Sequence, residues 1–455
     1  MRPMFLGLCL LFGETFAIVH AATITVGPAG TFSTIQQGIS AALLRGGDND
    51  VRVESGSYGE NLVLDMSSGN LTLSGGWDSA FATQTSDPTD TTISGGASGR
   101  VLDATLSGGS LLIRYFLVIG GSAPDRGGGM NFLLSKSASA QVIKTNFAFN
   151  TVTASSTNNA RGGAIYAELH DSSFFDIDSD QINDDSVTVA NGFANGGGVY
   201  IDQFDGSQVF VLNNSMRGNV AGAGGPAGSC SAGAIEIALK NSAHSSFIGN
   251  RIVQNSLQAS GGSDAGFAGA SFGAACDGGC QVDISQNVFD QNIGTTGAQL
   301  NIGMASSTGT PSINVNDLLV SRGNGSGMQV LLYGGVAHLT NLTIADNAST
   351  GLSFLADSTI TLYNTIAFGN GTDLAVSGDA AQEGNNLVGV DPHFIDAPHG
   401  NYRLQSDSLA RDAGDDSPPG GLPTQDLDGY ARVFGAHVDI GAYEIGDEIF
   451  ANGFD

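Results

Sequence analysis

Five aspartates and one asparagine crowd the ten residues DIDSDQINDD at positions 176–185. Alternating carboxylates are the donor type and spacing of a calcium loop, so Asp176, Asp178 and Asp184 are candidate ligands for Ca2+. An EF-hand is excluded. Gln181 holds the sixth position, where the turn needs glycine, and Val187 the twelfth, where a bidentate glutamate belongs. A second set of candidates lies in GGAIYAEL (162–169) and GGGVYIDQ (196–203). Tyr166 with Glu168, and Tyr200 with Asp202, pair an aromatic ring with a hydroxyl-binding carboxylate, which suits a neutral sugar chain. Glu236 and Phe272 follow in the next glycine-bearing strings. Cys276 and Cys280 flank Asp-Gly-Gly and could close a small disulfide turn, or either could pair with Cys230. His170, His244, His338, His393, His399 and His437 show no metal-ligand spacing and read as isolated surface or loop residues.

These side chains must be positioned by something regular, and the sequence contains a repeat. The string apolar-x-apolar-x-x-Asn-x-apolar-x-x-Asn appears as VFVLNNSMRGN (209–219), SFIGNRIVQN (246–255) and VDISQNVFDQN (282–292), and more loosely three times later. The closing residues Asn324, Asn347 and Asn370 are 23 apart, whereas Asn219, Asn255 and Asn292 are 36 and 37 apart. The short period fits one coil of three strands. The long one adds an insertion between the Asn and the glycine-rich strand (220–232, 256–268). Such a pattern predicts a solenoid, in which each coil buries its inward residues only by stacking. Corner asparagines are expected to take the left-handed backbone of the corner and to hydrogen-bond up the stack.

On that register Asp185 takes the closing-Asn position and Asp180 matches Asn214, Asn250 and Asn287. Two of the five aspartates are then corner residues. Asp176 and Asp178 point outward beside Phe210 and Leu212. If Ile165 and Val199 face inward, Tyr166 and Tyr200 stack outside on adjacent coils, with Glu168 and Asp202 beside them. At the other end, Ser33-Thr34-Ile35-Gln36 reads as a capping box, and Ile35, Ile39 and Leu43 share one face of a short helix ending near Leu44. That helix is expected to close the first coil and prevent edge-to-edge association.

Composition narrows the function classes. The formal charge of −28 disfavours nucleic acid and anionic membrane as partners. With 41% apolar residues and 67 glycines the chain reads as an all-β protein and not as a disordered acidic one. Arg2, the apolar run 5–12 and Val19-His20-Ala21 read as an export signal over 1–21, and no segment suits a transmembrane helix. The mature chain is expected to be secreted or held on the cell surface, as a monomer.

The opening TITVGPAGTFSTIQQGISAAL with VRVESGSYGENLVL (within 23–64), and the GGAI and Phe-x-x-Asn strings, resemble the right-handed parallel β-helix, or pectin-lyase-like, superfamily and the repeats of polymorphic outer-membrane proteins. The tail strings VDPHF (390–394), NYRLQSDSLARDAG (401–414), QDLDGYAR (425–432) and VDIGAYE (438–444) resemble the C-terminal signature of bacterial "choice-of-anchor Q" proteins, and GGWDSAF with DPTDTTISGG fits the early part of the same family. The resemblance implies an all-β right-handed parallel β-helix solenoid with a short N-terminal capping helix and a C-terminal capping segment. Its divisions are a signal peptide (1–21), an N-terminal cap with the first coils (22–95), the repeats (96–375), the C-terminal segment (376–448) and a tail (449–455). That tail, IFANGFD, resembles a short ending of exported Gram-negative proteins and reads either as a sorting signal or as a final strand.

Enzymes of that superfamily carry recognisable sites, and their patterns are missing. Asp184-Asp185 supplies an Asp pair, but no Gly-His-Gly or Arg-x-Lys accompanies it. The only tryptophan is Trp77, so no Arg-Pro-Trp site exists. Arg161, Lys144 and Lys240 are available as a lyase base, with nothing marking any of them. The leading expectation is therefore a non-catalytic β-helix that binds a polysaccharide or a cell-surface protein. The alternative is a polysaccharide lyase or glycoside hydrolase on the same coils.

Overall fold

A computed structural model describes residues 21–155, 159–294, 297–378 and 382–446. The expected signal peptide, apart from Ala21, and the IFANGFD tail lie outside the described residues. The fold is a parallel β-helix. Its main sheet has 31 strands among the described residues, and its strand pairings are parallel. Each coil contributes a strand to three faces. The coil that begins at Ile165–Leu169 continues through Phe174–Asp178 and Gln181–Asn183. These pair in turn with Val199–Gln203, Gln208–Leu212 and Ser215–Arg217 of the next coil.

Side-chain alternation fixes the register. Ile165, Val199 and Ile235 stack inside on the first face, Phe175 and Val209 on the second, and Ile182, Met216 and Ile252 on the third, all essentially inaccessible to solvent. A one-residue slip would put each of these rows into water, so the apolar period itself specifies the stacking.

The expected insertions build an accessory lobe. Residues after each closing Asn form a five-stranded sheet that includes Ser186–Val189 and Val220–Ala223, and a four-stranded sheet that includes Phe193–Asn195 and Ser229–Ser231. Val152, Val187, Ala221 and Leu257 pack with Ala160, Ala194 and Cys230 as its separate core. Cys276 bonds Cys280, with Cα atoms 5.2 Å apart, which leaves Cys230 outside the disulfide.

A helix caps the N-terminal end, and the C-terminal segment packs along one side of the stack. The N-terminal helix spans Ile35–Arg45, and its N-cap is Thr34, whose hydroxyl accepts the Gln37 N–H. Ser33 is thus one residue too early for the expected capping box. The Glu60 carboxylate of the GSYGE string adds bonds from the N–H groups of Ile35 and Gln36. This satisfies two more of the donors a helix start leaves open. At the other end the QDLDGYAR and VDIGAYE strings fold onto the third face. Arg432, fully buried, donates to Asp317 at 2.9 Å and Glu444 at 2.7 Å. Tyr402, Ala442 and Tyr443 cover Leu319 and Ala345.

Two side-chain ladders run up the corners of the stack. One passes from Asp180 through Asn214, Asn250 and Asn287, the other from Asn150 through Asp185, Asn219, Asn255 and Asn292. Each rung accepts the backbone N–H of the rung before it. The left-handed residue is the one preceding the rung: Ser179, Asp184, Asn213, Gly218, Gly249 and Gln254 have positive φ. The rung itself can therefore keep ordinary backbone and aim its amide along the axis. Asn324 is not a rung. Gln299 reaches across instead, accepting from Asn292 and donating to Asn347 at 2.7 Å, while Asn324 binds the Gly294 N–H.

Candidate functional site

The first face positions the predicted sugar-binding residues. Its outward row runs Asn131, Tyr166, Tyr200, Glu236, Ser271 on successive coils, with Glu168 and Asp202 two residues further along their strands. Adjacent glycines precede the strands of Asn131, Tyr166 and Tyr200, and single glycines, Gly233 and Gly269, those of Glu236 and Ser271, because the coil packs tightly there. A Cβ on Gly163 would collide with the Gly197 carbonyl oxygen and the Ser186 backbone. Phe272 is out of this row: it pairs with Ile237 and faces the interior, and Ser271 holds the outward place.

The two tyrosines stack as the register requires, with rings 1° from parallel and centroids 5.8 Å apart. They are not an exposed platform. Tyr166 is 1% and Tyr200 4% exposed, because the accessory lobe lays Arg126 over the first ring and Arg161 over the second, at 4.8 and 4.7 Å. The expectation of an open aromatic ladder fails for this reason. A guanidinium over a ring face is favourable and covers the surface a sugar would use.

The polar tips form one network. The Tyr166 hydroxyl lies 2.9 Å from Glu168 and 3.1 Å from Asp202, both carboxylates being acceptors. Arg161 donates to Asp202 at 2.9 Å, Arg126 to Glu168 at 3.3 Å, and Asn195 to Glu236 at 3.0 Å. Burial and the neighbouring carboxylates push both tyrosine hydroxyls far above their usual range, so they stay protonated donors. Burial opposes ionisation of Glu168, but hydrogen bonds from Tyr166 and His170 and the Arg126 charge hold its pKa below the ordinary value. Burial pushes Glu236 the other way, up to about 7.

A half-exposed rim borders the network. Arg126, Arg161, Glu168 and His170 each keep about a third of the side chain accessible. His170 contacts Glu168 at 3.2 Å and stacks on Phe204 of the next coil at 4.5 Å, and Lys240 lies 4.3 Å over the same Phe204 ring. His170 was not legible as a site residue, since its partner Phe204 is brought beside it only by the coil register.

The three predicted calcium ligands separate. Asp176 and Asp178 lie on the second face, and Asp184 lies at the corner beyond the third. Asp176 is nearly buried, bonded by Gln141 at 3.1 Å, and Asp178 accepts from Ser179 and Asn213. Asp184 lines an open groove of about 610 Å³ with Asn183, Arg217 and Gln254. Among the described residues no group of three or more His, Cys, Asp or Glu is placed to hold a metal ion. No helix among them is long and apolar enough to cross a membrane.

No family model matches the chain, and no curated protein is similar to it at a significant level. The crystal structure of pectate lyase Pel9A is similar over 94% of this chain and 98% of that chain, at 10% sequence identity and a TM-score of 0.41.

Proposed function

We propose that this protein is an exported, surface-associated β-helix that binds a neutral polysaccharide without cleaving it, along the rim of Arg126, Arg161, Glu168, His170 and Phe204. The observation that carries the reading is the charge pairing of that rim. Arg126 lies against Glu168 and Arg161 against Asp202, so the strip offers donors and acceptors with little net charge on an otherwise acidic chain. Hydroxyl groups suit such a strip better than a polyanion does. The exposed edge of the His170–Phe204 stack adds apolar contact for a pyranose.

A non-catalytic role fits the carboxylate geometry. Two acids flanking a glycosidic bond need an open gap for the reacting oxygen. Between Glu168 and Asp202 that gap holds the Tyr166 hydroxyl. The choice-of-anchor Q type and a sorting role for the IFANGFD tail belong to the same proposal.

The test is a panel of neutral and acidic glycans, scored for binding and, in parallel, for unsaturated ends and reducing sugar. Binding of a neutral chain that weakens about tenfold, or 1.4 kcal/mol, in Phe204→Ala and Glu168→Gln is expected. Turnover of any chain that these changes abolish would replace the reading with an enzyme.

A further inference from the structure

In the corner ladders, seven asparagines follow one geometry. Each Nδ2 donates to a main-chain carbonyl of the preceding coil, as in Asn150 to Val118, Asn214 to Ile177 and Asn219 to Ile182, at 3.1, 2.9 and 2.7 Å. Where the next coil supplies an asparagine, the same Nδ2 also reaches its Oδ1, as from Asn214 to Asn250 and from Asn219 to Asn255. Asp180 and Asp185 occupy two rungs of these ladders, both on one coil, and both are fully buried. Their Oδ1 atoms do what an amide oxygen does. That of Asp180 accepts the Thr145 N–H at 2.6 Å, and that of Asp185 accepts the Asn150 N–H and Nδ2 at 2.7 and 2.9 Å. Their Oδ2 atoms stand in the place of Nδ2 and have no donor.

The register identifies what Oδ2 faces. Ile177 pairs with Val142 and Ile182 with Phe147, so the carbonyls of Val142 and Phe147 take the places that Ile177 and Ile182 hold for the next coil. On the other side stand Asn214 Oδ1 and Asn219 Oδ1, which already accept the backbone N–H of Asp180 and Asp185. A carboxylate oxygen there would sit between two acceptors. A carboxylic O–H would donate to one of them.

We propose that Asp180 and Asp185 are protonated rungs that imitate asparagine, and that together they form a proton-held seam between the coil at 139–150 and the coil at 174–185. Both acids join the same two coils, so loss of the protons weakens one junction and leaves the other rungs amide-bonded. The charges around them oppose ionisation. Asp176 and Asp178 face Asp180, and Asp184 faces Asp185, while Lys144 and Arg217 of the flanking coils are exposed. Burial, the largest cause, raises Asp180 well above its ordinary value and Asp185 to about 8. A folded value above the unfolded one means that the stabilisation is complete in acid and is lost as pH rises through the folded value. The seam holds in acidic and neutral surroundings and releases in alkaline ones.

The experiment compares the full chain with Asp180→Asn/Asp185→Asn, by thermal melting from pH 5 to 9.5 and by hydrogen exchange of residues 139–154. A melting gap that widens by several degrees in favour of the asparagine variant between pH 5 and pH 9 is expected. In the wild type alone, exchange at 139–154 should accelerate as pH rises, after correction for intrinsic chemistry. Two outcomes overturn the proposal: the same pH slope in both proteins, or an asparagine variant that melts lower at every pH. Asp185→Ala, which removes the Oδ1 acceptor as well, should melt lower than the wild type at pH 5 and so shows that the rung bears load.

Discussion

Tyr166 and Tyr200 lie ring to ring on neighbouring coils, and the hydroxyl of Tyr166 reaches Asp202, two residues beyond its stacking partner, at 3.1 Å. One side chain thereby links two coils through its face and through its tip. Tyr166→Phe keeps the stack and removes the donor shared by Glu168 and Asp202. A loss of about 1–3 kcal/mol is expected, the cost of leaving buried acceptors unpaired. Urea denaturation measures it, and an unchanged midpoint would show that the arginines alone satisfy both acids.

Arg432 lies between Asp317 and Glu444, and all three are buried. Arg432→Met strands two acids in the interior and should cost about 3–5 kcal/mol, read from urea denaturation at neutral pH. A loss under 1 kcal/mol would mean that the C-terminal segment holds by packing alone.

The same triad has a pH dependence of its own. Burial raises Asp317 to about 7 and Glu444 to about 8 against the pull of Arg432, which can balance only one ionised acid. Values raised in the folded state make stability complete below the unfolded carboxyl values, about pH 4, and lost progressively until the folded values of about 7 and 8 are passed. Glu444→Gln keeps an Oε1 to accept from Arg432 and the Asp439 N–H. Its stability relative to the wild type should rise from pH 5 to pH 9. A constant difference at both would refute a retained proton.

Gln299 carries the ladder past Asn324. Gln299→Ala removes the acceptor for Asn292 and the donor to Asn347 in one step, so a loss of about 2–4 kcal/mol is expected from two or more unsatisfied buried groups. Thermal melting should separate it clearly from Asn324→Ala, whose rung role the structure removes.

Calcium is expected to leave the melting temperature of the chain unchanged relative to chelator, because Asp176 and Asp178 diverge from Asp184 onto different faces. A rise of several degrees would mean that a cation draws these acids together.

Periodicity alone determined the coil. Inward rows such as Ile165, Val199 and Ile235 must stack, and residues 220–232 and 256–268 had to leave the coil as insertions, because apolar spacing and chain length admit no other burial. The rungs at Asp180 and Asp185 followed from the same register. Tertiary structure decided what covers each outward side chain. No local pattern shows that the accessory lobe returns Arg126 and Arg161 over Tyr166 and Tyr200, since the partners come from coils some forty residues apart. Nor does spacing reveal that Gln299 substitutes for Asn324, because one extra methylene lets a strand residue reach a corner. The Asp-rich string 176–185 was divided in the same way. Two of its acids are rungs by register, and the other three were distributed over two surfaces by the turn at Ser179 and the corner at Asp184.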